Sequence, residues 1–270
     1  MKKISLLAVL CASCFSTSVL ASWEHASNGG NFTMSGSVQS SEAVINPWVV
    51  NVGKSTEEFT IDALKTEKEV TIALTKTLPV IGVRTHKSVG FDGRAGITPQ
   101  INFGNTVNTD NFQGGETELT MDVMSNEAAS LEKKLGVMTA KLTTGAVIAY
   151  KGRADENGNP VEKMGTLVSA KEGSAFFGGL GKNEQAVLPA SSVIQVLQQL
   201  SPGIGENFAS FDIADMSTVN DVDMSQSRLF SGYYAAGLKS QNIKITFDAE
   251  RETNAPLKWR VSLPVEVTYL

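Results

Sequence analysis

From residue 259 to residue 270, apolar and polar side chains take strict turns. Trp259, Val261, Leu263, Val265, Val267 and Tyr269 are separated by Arg260, Ser262, Pro264, Glu266 and Thr268, and Leu270 closes the run. Alternation of period two predicts one strand with a dry face and a wet face. No turn and no further strand follows it. Its partner is therefore either an earlier part of the chain or another chain.

The rest of the chain from Pro47 onward also reads as short strands. Val50 and Val52 lead to Gly53; Phe59 and Ile61 alternate, as do Val70, Ile72 and Leu74, and Leu119, Met121 and Val123. Residues 137–150 form a longer β-branched and Thr-rich run with an expected break at Gly145, and residues 155–160 make a turn before the run around Leu167. Ile243, Ile245 and Phe247 alternate just before the terminal run. Turn residues punctuate these runs at irregular intervals, which predicts an all-β antiparallel sandwich and not a parallel sheet with crossover helices. One stretch departs from the pattern. Val193, Val196, Leu197 and Leu200 fall at helical spacing, with Gln195, Gln198 and Gln199 opposite, and Ser201-Pro202-Gly203 stops the run. This short helix lies in an expected insertion over residues 173–224. A seven-stranded sandwich needs only about 100 residues, so the surplus sits in such insertions.

At the other end, Met1-Lys2-Lys3, an apolar run from Ile4 to Leu10 and Val19-Leu20-Ala21 have the form of a secretory signal peptide cleaved after Ala21. A lipoprotein signal would need Leu three residues before Cys14 and Gly or Ala just before it, and Cys11 and Ser13 stand there instead. Both cysteines, Cys11 and Cys14, belong to this segment, so the exported chain has no disulfide framework and must rely on a buried core. Residues 22–38 follow as a weak strand, with Phe32 and Met34 alternating with Thr33 and Ser35. A frayed terminus is the competing reading. The expected organisation is a signal at 1–21, an extension at 22–38 and a β domain at 39–270.

The net charge is −5 and becomes more negative once Lys2 and Lys3 are removed. No basic run exceeds two residues, which argues against nucleic acid and anionic membrane surfaces as partners. Two histidines, His25 and His86, and no thiol outside the signal leave little for a metal site or a catalytic triad. Asp155, Asn157 and Asn159 imitate the start of a calcium loop, but Pro160 replaces the required Gly and Thr166 the bidentate Glu. Residues 178–182 imitate a phosphate loop without its first Gly or its Ser/Thr. No enzyme, cofactor or metal is expected.

A cleaved signal, an all-β exported domain and an alternating last strand with Tyr269 next to its end resemble the subunits of chaperone–usher fimbriae. The likeness extends to the K-eighty-eight (F-four) type. It is carried by residues 79–85 and 96–101, by Trp48 with Val52-Gly53, by Phe176-Phe177-Gly178-Gly179-Leu180, by residues 231–238, by the terminal strand and by the missing disulfide.

The resemblance implies an incomplete immunoglobulin-like sandwich that lacks its last strand. Trp259, Val261, Leu263, Val265, Val267, Tyr269 and Leu270 would border the open groove and contact a periplasmic fimbrial chaperone. At an outer-membrane usher, the extension of another subunit would replace the chaperone's strand. Gly30, Phe32, Met34 and Gly36 would form the donor strand offered to a neighbour. Ala26, Asn28 and Gly30 are small or polar for that role, which suits a minor subunit of a heteropolymeric, cell-surface fimbria. The alternative is a major subunit that itself binds host glycans. Phe176, Phe177, Tyr233 and Tyr234 are the aromatics available to such a site, and core packing is the favoured reading of them.

Overall fold

The computed structural model describes residues 46–53, 59, 67–86, 88–126, 133–154, 160–211, 216–250 and 257–270. The chain divides into two units, Met1–Val44 and Ile45–Leu270. The signal segment and the expected donor strand, with Gly30, Phe32, Met34 and Gly36, lie outside the described residues, as does the expected turn at 155–159.

The described strands are β1 (Trp48–Val52), β2 (Glu69–Ala73), β3 (Leu78–Thr85), β4 (Phe91–Asp92), β5 (Pro99–Asn102), β6 (Glu116–Ser125), β7 (Lys134–Ala154) and β8 (Pro160–Val168). After helix α1 (Val193–Leu200) come β9 (Ser217–Asn220), β10 (Leu229–Leu238), β11 (Asn242–Phe247), β12 (Trp259–Arg260) and β13 (Glu266–Tyr269). β7 is the spine. β10 and β11 lie end to end along one of its edges, and β8 and β6 lie end to end along the other. The ladder therefore runs β12-β6-β7-β11-β2 across one half of β7 and β9-β8-β7-β10-β3-β1 across the other. Leu119, Val123, Ile243 and Ile245 from the first half share one core with Ile81, Val83, Phe230 and Tyr234 from the second. This is the all-β sandwich that alternation predicts.

Two expectations change. The long strand does not break at Gly145, whose Cβ would stand 2.5 Å from Leu188 Cδ1. The glycine is there because a loop crosses the strand at contact distance, not because the strand ends. The ladder is also not wholly antiparallel: β8 and β9 pair in parallel, as strands joined by a long crossover containing a helix can.

That crossover is the predicted insertion. Val193, Leu197 and Leu200 bury the apolar face of α1 against Val147, Tyr233 and Ala235 on the outer face of β7 and β10. Tyr233 and Tyr234 thus point into different cores. Both faces of β10 are covered, and nine of its ten residues are buried.

Candidate functional site

The terminal run is the candidate site, but it does not form one strand. Trp259–Arg260 pairs with β6, at Ser125 and Met124, whereas Glu266–Tyr269 pairs with β5, from Asn102 to Pro99. Residues 261–265 pass from one partner to the other without strand pairing. Pro264, which has no N–H to give to a ladder, falls in this link. The expectation of a single continuous strand is corrected accordingly.

The alternation survives the break. Trp259, Val261, Leu263, Val265, Val267 and Tyr269 are all half-buried and pack against the main core, while the polar residues between them are exposed. A strand covering a closed core would bury these positions as fully as β6 buries Leu119 and Val123, both at 0 % exposure. Here an apolar strip lies on the core and still meets water.

Main-chain geometry shows which edge is open. Leu270 and Thr98 exchange N–H···O bonds, each 3.0 Å. Bonded pairs recur at every second residue of an antiparallel ladder, so Thr268 and Glu266 also turn toward β5. Val267 and Tyr269 then aim their N–H and C=O groups the other way, and among the described strands none pairs with that edge.

The other side is formed at β1, an edge strand whose Val50 and Val52 are 42 % and 53 % exposed. One hydrogen bond ties the sides together at one end. The Trp48 indole N–H donates to the Ile97 carbonyl at 2.7 Å. The Asn46 Oδ1 accepts the Trp48 backbone N–H at 3.0 Å, and the Asn46 side chain lies near enough to the Tyr269 phenol to influence its titration. Burial pushes the Tyr269 phenol above its ordinary pKa, and Asn46 opposes that shift.

β5 is gripped from behind by the segment after Ser174. The Ile101 N–H donates to Phe177 O at 2.8 Å, and the Phe176 N–H donates to Pro99 O at 2.6 Å. Gly178 has φ 82°, and a Cβ there would lie 2.1 Å from Ile101 O, so only glycine lets the segment come this close. Of the glycines that resemble a phosphate loop, Gly178 and Gly179 serve this approach, and Gly181 lets the chain close on Ala186.

Of the four aromatics named for a glycan surface, Phe176, Tyr233 and Tyr234 are fully buried and Phe177 is half-buried. The first three face cores because the two sheets and the crossover cover them, so they offer no platform to a sugar. Sequence reasoning missed Asn46 and the β5 partner of the terminal strand. Both contacts join residues far apart in the chain, and no local pattern marks them. His86 is exposed after β3, and His25 lies outside the described residues.

The described domain is an all-β sandwich with a half-buried apolar strip beside the unpaired edge of its last strand. Residues 1–270 match the K-eighty-eight family described as "Fimbrial, major and minor subunit", and the chain belongs to that family. It is similar to the "K88 minor fimbrial subunit FaeI" of Escherichia coli, with 22 % identity over 281 residues that span the whole of both chains. It is therefore a structural subunit of a cell-surface fimbria, and other fimbrial subunits are its partners.

Proposed function

We propose that this chain is a minor fimbrial subunit that is exported to the periplasm and held there by a chaperone strand laid along the open edge of β13. Another subunit's extension takes that strand's place at the outer-membrane usher. The observation that carries this reading is the half-buried apolar strip from Trp259 to Tyr269 beside an unpaired main-chain edge. Strand addition supplies both missing things at once: main-chain bonds for the edge and apolar side chains for the strip. Completing the burial of a large apolar side chain is worth about 1 kcal/mol or more, so six of them supply several kcal/mol beyond the main-chain bonds. The minor role is supported by the minor-subunit relative and by the small residues Ala26, Asn28 and Gly30 in the extension.

The Leu270 carboxylate would be held by basic residues of the chaperone. The second reading, a major subunit that binds host glycans, loses its support with the burial of Phe176, Tyr233 and Tyr234. Co-expression with candidate periplasmic chaperones and pull-down is the test. The wild type should be captured, and Tyr269→Ser should be captured less, because Tyr269 lies at the groove edge. Equal capture of both, or of neither, would contradict the reading.

A further inference from the structure

Phe176 lies behind the groove, and its backbone is strained. Its φ is 58°; the other described non-glycine residue with positive φ is Asp221, at 47°, a residue type that tolerates this region. A bulky residue stays there only where its surroundings over-determine it, and such outliers gather where geometry matters to function.

What holds Phe176 is a clamp on both sides of the groove. Its N–H donates to Pro99 O, on the edge of β5 opposite β13. Gln100 closes the clamp from the side: its Nε2 donates to Ser174 O at 2.9 Å and its Oε1 accepts from the Gly173 N–H at 3.2 Å. The Phe176 ring stacks on Tyr234 with centroids 5.2 Å apart and meets the edge of Trp48 at 5.4 Å. Trp48 begins β1. By its backbone Phe176 holds the strand that carries β13, and by its ring it meets the opposite side.

β5 and β13 form a two-stranded sheet with no described ladder to the larger one, so no run of main-chain bonds sets their distance from β1; the Trp48 indole bond to Ile97 and the contact of the Phe176 ring with Trp48 join the two sides. We infer that Phe176 is a positioning residue that sets the width of the groove at its Trp48–Tyr269 end, and so determines which side chain an incoming strand can seat there. The inference rests on the strand-acceptor reading above.

The test uses the full chain bound to its periplasmic chaperone. The complex is challenged with a synthetic peptide of residues 28–38 and with its Phe32→Ala and Met34→Ala versions. The wild-type complex should take up the parent peptide faster than either shortened one. In Phe176→Leu the penalty at one of the two peptide positions should change tenfold or more, and the other should stay within twofold. Gln100→Met leaves all three rings in place and removes the side clamp. It should move the same position in the same direction, and it carries the test if Phe176→Leu does not fold. Penalties that stay fixed, or that change equally at both positions, would overturn the positioning role even if the melting temperature falls. A merely structural core residue lowers stability without changing side-chain preference. A wild-type complex that takes up neither this peptide nor the extension peptide of any other subunit of its fimbria would overturn the strand-acceptor reading, and this inference with it.

Discussion

The indole N–H of Trp48 donates to the carbonyl of Ile97 at 2.7 Å, and both residues are buried. Forty-nine positions apart, they join β1 to the chain entering β5 and so hold together the two sides of the open groove. Trp48→Phe keeps an aromatic ring against Phe91 and Phe176 but leaves the Ile97 carbonyl without this donor. A buried acceptor left unsatisfied costs about 1–3 kcal/mol. The unfolding free energy of the strand-complemented protein should fall by that amount, seen as a lower urea midpoint with an unchanged m-value.

The open edge of β13 gives a sharper variant. The Val267 N–H points away from β5, so Val267→Pro removes a donor that the incoming strand would use and no bond that the isolated chain makes. Affinity for the chaperone should drop about fivefold or more, since a main-chain bond contributes roughly 1 kcal/mol. Pull-down under graded urea would measure this. Thr268→Pro removes the neighbouring donor, which serves β5, and should impair the fold itself.

The second core should respond differently. Leu197 is fully buried where α1 covers β7 and β10. Leu197→Ala should cost about 2–5 kcal/mol through lost burial and a residual cavity, read as a lower unfolding midpoint. The relative uptake of different donor peptides should not change, because this core lies on the far face of the sheet from the groove.

Three tyrosines set the pH response. Burial raises the phenol pKa of Tyr233 and Tyr269, and that of Tyr234 well above its usual value near 10. A raised pKa means that the folded chain holds the proton more tightly than the unfolded one. These groups thus contribute stability that is complete below about pH 10 and lost as pH rises through the folded values. Unfolding midpoints should show no tyrosine-linked change between neutrality and about pH 9 and should fall beyond pH 10. Strand capture should raise the Tyr269 value further by removing its remaining water, a shift that ultraviolet difference titration would detect.

The strands covered on one face were legible in the sequence. Val70 and Ile72, Leu119 to Val123, and Ile243 to Phe247 alternate because water lies on one side and core on the other. The stripe of α1 was legible for the same reason. β10 was not, because the crossover covers its outer face and removes the polar positions that would mark a period. At the groove, the pattern from Trp259 to Tyr269 showed which side chains face the core. It could not show that the run changes partner at Pro264, because side-chain alternation carries no record of which strand receives the main-chain bonds. Core packing is the favoured reading of Phe176, and its burial agrees, but neither its φ nor its contact with Trp48 is written in its neighbours.

The most direct test of the account removes the extension. With residues 1–37 absent, the domain should stay aggregated or unfolded when produced alone, and should become a soluble monomer when a chaperone or a donor peptide supplies the missing strand. A stable, cooperatively folded monomer with no added strand would contradict it.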